Sequence, residues 1–329
     1  MRNKGIDLLK VLACIGVIML HTTIDGFKNE GWNLYAYLYY CGTYSIPLFF
    51  IINGYFLLNK KEISYSYVWV KIKRIVTSVV IWNTIIWILK RDIHKSLLKN
   101  IVGSFIQRGY FFQFWFFGAL VIIYLTLPLL QQYLNTSRKY IQVLALLIFI
   151  GVILEITNYI SGTVIQSNII QTFRLWTWYF YYIVGGYIGK LDIEQIKSKL
   201  DTYLFKWGLA IIVIISPIIM YGITHYIHHN VYAEYLYDSI LVKVISISIF
   251  LLFLVLHVCQ KLDKFLLYLA SLIMGVFITH TYVINLLNKI IDTKTNFTTL
   301  IVLLLTIVIS FSITAIIDKI PYLNKTIKL

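Results

Sequence analysis

Three side chains able to carry charge or move a proton share one apolar stretch near the start of the chain: Asp7, Lys10 and His21, in GIDLLKVLACIGVIMLH. At about 100° per residue, the eleven steps from Lys10 to His21 return to within about 20° of the same direction, and Asp7 lies about 40° to the other side. A helix here therefore puts all three on one face, with His21 roughly 16 Å beyond Lys10 along the axis. A histidine so placed can act as general base toward a hydroxyl. It can equally take an acyl group on its own ring, and the sequence leaves both routes open. Asp7 and Lys10 also admit a plain ion pair, with the lysine stem reaching along the helix to water.

Further polar groups interrupt later apolar runs. Glu155, Arg174, Lys243, His257 and His280 each stand in or beside one, and Lys243 and His257 are expected at opposite ends of the same run. Arg174 and Trp178 lie in FRLWTWYFYYIVGGY, which suits either a ligand-orienting arginine or an interfacial aromatic anchor. YSIPLFFIINGYFLL places Asn53 beside a glycine and has Pro47 to free backbone groups, a combination tolerated where a cavity or neighbouring helix satisfies them. Lys71, Lys73 and Arg74 form a basic cluster suited to an anionic ligand such as a nucleotide phosphate. Ordinary topogenic charge explains that cluster as well. No metal-ligand spacing, Ser-His-Asp arrangement or phosphate loop is present in the sequence.

The elements that must position these groups follow from composition. Of 329 residues, 59% are hydrophobic and only 13% charged, and mean hydropathy is +0.78. Soluble domains carry about 25% charged residues, so the missing solvent is lipid. Apolar runs occur at about 6–24, 37–58, 75–89, 111–133, 140–160, 172–189, 207–223, 239–258, 266–287 and 299–317. They are continuous rather than alternating, which favours helices over barrel strands. The expected fold is an all-α polytopic membrane protein of about ten transmembrane helices, a single integral-membrane domain over 1–329 with no separate soluble domain. Arg2 and Lys4 precede the first run without a small-residue cleavage site, so that run reads as a retained anchor.

With the N-terminus inside, 18 of the 29 basic residues fall on the inner side and eight outside, which favours cytoplasmic termini. The inner set includes Arg2, Lys197 and Lys199, and the outer set Lys294. The same bias accounts for the net charge of +15 without nucleic acid. Segment 90–110 resists, with five positive charges on the outer side, as an interfacial amphipathic helix would have. The alternative is that the third span is misplaced. Cys14, Cys41 and Cys259 suggest no disulfide framework.

Taken in order, these segments resemble the acyltransferase 3 family of integral-membrane acyltransferases. The resemblance rests on the Lys10 and His21 pair of the first span, PLFFIINGYF, KIKRI, FWFFGALVIIYLTLPLL, YYIVGGYIG and GVFITH, and covers nearly the whole chain. Lys10 stands where the family commonly has arginine, and Asn53 where it commonly has serine; lysine lacks the planar fork of arginine. The resemblance implies transfer of an acetyl group from acetyl-CoA to a hydroxyl of a cell-surface glycan or lipid-linked sugar, in a multi-pass bacterial cell-membrane protein surrounded by lipid. It implies His21 and Lys10 as the catalytic pair, Lys71, Lys73 and Arg74 at the CoA phosphates, and Asn53, Trp115, Arg174 and Trp178 toward the acceptor. Asp7, Glu155 and His280 are further candidates. Tyr124, like Trp115, suits either a cavity wall or packing. The Asn-Gly form also resembles the membrane part of serine/alanine racemases, which gives a carrier for a small molecule such as serine as the alternative. A flippase or polymerase of lipid-linked oligosaccharide is disfavoured by short loops, about a dozen residues each. Oligomeric state is not legible.

Overall fold

The structure, a computed structural model, describes residues 3–28, 31–92, 94–192, 194, 198, 200, 202–291 and 296–328. Among these, every regular element is helical. In chain order they are α1 (Lys4–Thr23), α2 (Leu34–Thr43), α3 (Ser45–Leu57), α4 (Tyr65–Leu89), α5 (Leu97–Phe105), α6 (Trp115–Tyr133), α7 (Ser137–Ser161), α8 (Leu175–Lys190), α9 (Tyr203–Gly222), α10 (Ile240–Val255), α11 (Asp263–Ile290) and α12 (Asn296–Lys319). Short 3₁₀ or π turns connect several of them. Local chemistry sets many of the starts. The side chains of Asn3, Asn33, Ser64, Ser96, Thr136 and Ser239 each accept a backbone N–H from the first helical turn, satisfying donors that have no carbonyl partner.

Seven described helices are long and apolar enough to cross a membrane. The runs expected at 37–58, 172–189 and 239–258 instead form the shorter α2–α3 pair, α8 and α10. Lipid as solvent is visible in α7, where only 11% of the apolar window is buried inside the protein. Of the basic residues used to orient the chain, Arg2, Lys197, Lys199 and Lys294 lie outside the described residues.

Two expectations are corrected. The helix expected to begin at 75 begins at Tyr65, because Ser64 caps it with a 3.2 Å bond to the Tyr67 amide. Lys71, Lys73 and Arg74 therefore ride on the helix itself, within its first three turns. Pro47 does not free backbone groups within a span. The helix breaks earlier, at Tyr44, and Pro47 sits in the first turn of α3, where its N–H would have no helical partner anyway. Segment 90–110 contains the short α5, which packs on α4 and α6, with Ser104 donating to Asn83 at 3.0 Å. In its loop, Tyr110 and Lys95 donate to Asp92 at 2.7 and 3.2 Å. The Tyr110 hydroxyl, then Lys95, hold that carboxyl below its ordinary range.

The packing that matters for function centres on α1, which touches α2, α3, α10, α11 and α12. It runs parallel to α11. Lys4 and Asp263, at the two N-terminal ends, pair at 2.5 Å; Cys14 reaches the Ile273 carbonyl at 3.8 Å; His21 and His280 meet with ring centroids 5.4 Å apart. His21 follows Lys4 by the same number of residues as His280 follows Asp263, so helix register alone levels the two histidines. On the other side of the core, α3 and α8 approach through glycines. A Cβ on Gly185 would lie 1.9 Å from the Ile51 carbonyl oxygen, and one on Gly54 1.8 Å from that of Tyr182. Backbone cannot yield as a flexible side chain does. Gly185→Ala is expected to lower stability by roughly 1–3 kcal/mol or more, read as a lower temperature for loss of monodispersity in detergent. Gly208→Ala, whose Cβ meets nothing within 4 Å, is the control and is expected to leave it unchanged.

Candidate active site

Two cavities open along α1, one at Lys10 and one at His21. The first, about 480 Å³, is lined by Lys10, Lys71 and Lys328, by Asn53 and Tyr124, and otherwise mainly by apolar and aromatic side chains. Lys10 is held there by Asp7, whose carboxylate accepts from its ammonium at 3.1 Å, and it lies 5.1 Å from the Phe56 ring. Asn53 donates to the Phe49 carbonyl at 2.9 Å and accepts the Tyr124 hydroxyl at 3.1 Å, which fixes its amide against the wall. The long start of α4 is what carries Lys71 to this cavity. Lys73 and Arg74 are exposed on other faces of that helix, Lys73 near the Trp69 ring at 5.5 Å, and neither lines the cavity.

The second cavity, about 240 Å³, surrounds His21. Its polar lining is Gln107, Gln113, Gln171, Glu234 and Tyr39, with Trp115 and Tyr237 among its rings. Ile46 and Phe277 line both cavities and form the partition between them. His21 does not face lipid. Its ring is edge-on to Phe112 at 5.7 Å and tilted over His280. His280 is fully buried, with Nδ1 3.1 Å from the Val276 carbonyl, which makes Nδ1 the protonated nitrogen and leaves Nε2 as an acceptor. Nε2 has no hydrogen-bond partner. Neither have the side-chain carbonyls of Gln113 and Gln171, although the Gln113 amide nitrogen donates to Thr281 at 3.0 Å. Buried acceptors without donors are costly and suit a ligand that brings hydroxyl groups. Gln107 accepts the Gln171 amide at 3.2 Å from a backbone at φ 62°, a left-handed conformation of the kind kept at functional sites.

The remaining sequence candidates do not line this chamber. Arg174 is buried and donates to three carbonyls, of Ile169 at 3.1 Å, Gln166 at 2.6 Å and Glu234 at 3.1 Å. Its rigid fork thus joins the turn bearing Glu234 to the segment bearing Gln171. Trp178 stacks on Phe50 at 4.8 Å and contacts Trp115 at 5.1 Å, while its indole N–H holds the Gln171 carbonyl at 2.6 Å. Glu155 accepts the Ile240 amide at 3.1 Å, at the start of α10. Lys243, buried, donates to the Asp238 carbonyl, whereas His257 is exposed beyond the end of α10.

Sequence reasoning missed Glu234, Tyr39 and the three glutamines. The Tyr39 hydroxyl donates to the Glu234 carboxylate. Burial raises the Glu234 carboxyl above its ordinary value, and the Tyr39 hydrogen bond opposes that shift. A raised folded-state value means stability is fully present below the unfolded value and is lost as pH rises through the folded one. Glu234→Gln keeps an acceptor for Tyr39 but cannot ionise. The wild-type protein is expected to lose melting temperature relative to this variant as pH rises above the ordinary glutamate range. Thermal unfolding curves of both proteins across pH would check it, and parallel curves would refute it.

A bundle of apolar helices thus holds a histidine chamber at one level and a lysine-lined cavity at another. The chain belongs to the acyltransferase 3 family: the family model, described as an acyltransferase domain, matches residues 3–316. The chain is also 24% identical over 222 residues to an amino-acid racemase of Enterococcus faecalis, an alignment covering 63% of this chain and 26% of that protein. It therefore spans about a quarter of the length of that relative. No solved structure matches it.

Proposed function

We propose that this membrane acyltransferase moves an acetyl group from acetyl-CoA to a hydroxyl of a cell-surface glycan, in a bacterial cell membrane with both termini cytoplasmic. The observation that carries the reading is the pair of cavities on one face of α1, with Ile46 and Phe277 lining both. The Lys10 cavity suits the donor. Lys71 would neutralise phosphate, flanked by Lys10 and Lys328 in their ion pairs with Asp7 and Asp318, and the aromatic wall would accept a flexible, largely apolar arm. The His21 cavity suits the acceptor, since amides, a carboxyl and aromatic faces match the hydroxyls and C–H faces of a sugar.

In the step itself, the hydroxyl oxygen bonds to the thioester carbonyl carbon, the carbon–sulfur bond breaks and the thiolate departs. His21 takes the hydroxyl proton in the direct route. In the two-step route its ring nitrogen first bonds to the carbonyl carbon and expels the thiolate; the sugar oxygen then bonds to that carbon, the carbon–nitrogen bond breaks, and the released ring takes the hydroxyl proton. Protein in lipid nanodiscs, given radiolabelled acetyl-CoA and de-O-acetylated surface polysaccharide, should place label in the polysaccharide. Absence of transfer by the wild-type protein would overturn the proposal, and uptake of serine into sealed proteoliposomes without transfer would favour the carrier reading.

A further inference from the structure

The His21 chamber, at about 240 Å³, is smaller than the ~300 Å³ at which small-molecule pockets begin. It has room for about one sugar ring, so the rest of any larger acceptor must lie outside it. A line of aromatic rings runs from its wall, through the buried Tyr40 and Tyr221, to the surface. Tyr39, in the chamber wall, meets Tyr40 at 5.1 Å, and Tyr40 meets Tyr221 at 5.8 Å. Tyr221 in turn lies 4.9 Å from Trp32 and 5.1 Å from His225, almost parallel to the latter at 11°. His225 meets Tyr226 at 4.9 Å. Trp32 is 42% and Tyr226 69% exposed, whereas Tyr221 beneath them is buried.

We propose that Trp32, His225 and Tyr226, fixed by Tyr221, form a surface stacking subsite for the sugar residues of a polymeric acceptor that lie beyond the ring held at His21. The proposal rests on the glycan reading above and selects a polysaccharide over a lone sugar or a small amino acid. The C–H face of a pyranose carries slight positive charge and meets the negative face of an aromatic ring favourably. Rings already locked against one another lose little conformational freedom when a ligand arrives. An interfacial belt of lipid anchors accounts less well for the arrangement. Tyr65, Trp69, Tyr203 and Trp207, at the ends of their helices nearer Lys4, are also exposed, yet among the described residues none has an aromatic partner.

The test compares Trp32→Ala/Tyr226→Ala and Trp32→Phe with the wild-type protein in nanodiscs. The acceptors are de-O-acetylated surface polysaccharide from the expressing strain and the monosaccharides released from it by acid. Binding of each is measured without acetyl-CoA, and transfer is measured separately. The double variant is expected to raise KM and Kd for the polymer roughly tenfold, with kcat and transfer to monosaccharide unchanged; Trp32→Phe should stay near wild type. An unchanged polymer KM overturns the subsite, as does failure of the wild-type protein to bind polymer. Parallel loss on polymer and monosaccharide also overturns it, indicating an anchoring or structural role for the rings. Because binding is read without the donor, polymer binding lost in the double variant from a protein that transfers no acetyl would defeat only the acetyltransferase reading. Transfer indifferent to the double variant would defeat only the subsite.

Discussion

His21→Ala is expected to reduce acetyl transfer by about 100- to 10,000-fold, the range lost with a positioned general base, while leaving acetyl-CoA affinity within about twofold. The split follows from geometry. His21 lines the smaller chamber and is absent from the cavity of Lys10, Lys71 and Lys328, so its removal should leave the donor contacts intact. Single-turnover transfer together with donor titration reads both quantities. Equal transfer by variant and wild type would remove His21 from the chemistry. A fall in donor affinity as large as the fall in rate would show that the two cavities are not separate in function. Trapping after incubation with labelled acetyl-CoA alone distinguishes the two chemical routes. Label retained on His21 supports the acyl-histidine step, and an unlabelled protein that still transfers supports direct attack.

Ile46→Trp is the second substitution with a large expected effect. Ile46 lines both cavities and is 6% exposed. It is one of the two residues common to both linings, where, on the proposed reading, a thioester arm would pass to bring its carbonyl from the Lys10 side to His21. An indole there is expected to cut transfer by about 100-fold, as displacement of a reacting group by about 1 Å does, while donor binding persists. Overpacking costs about 1–3 kcal/mol in its own right, so the amount of folded protein must be measured alongside. Ile46→Val, which only trims the partition, should keep transfer near wild type. If the tryptophan variant folds and transfers normally, the acyl group does not travel between these cavities.

Much of this protein was legible without coordinates. A chain with 59% hydrophobic and 13% charged residues has to be solvated by lipid, and in lipid a helix is the economical way to satisfy the backbone. The 3.6-residue period put Asp7, Lys10 and His21 on one face. That is a local property, because a helix fixes its own side-chain directions whatever surrounds it. For the same reason, the resemblance to acyltransferases was readable from short motifs that each lie within one helix.

Other features belong to the tertiary structure. The pairing of His21 with His280 depends on the parallel register of α1 and α11, set at one end by Lys4 and Asp263. Nothing in either segment alone encodes it. Glu234, Tyr39 and the three glutamines sit in turns, loops and a short helix, where polar residues are ordinary and no periodicity marks them out. Arg174 was conspicuous in sequence because it is charged and surrounded by aromatic residues. Which carbonyls it would gather was decided by chain segments up to sixty residues away. Sequence by itself determined the solvent, most of the helices and the shared face of Asp7, Lys10 and His21, since each is governed by interactions a few residues apart. Only the folded bundle decided where two cavities open and what divides them, since a cavity is the space left when distant helices meet.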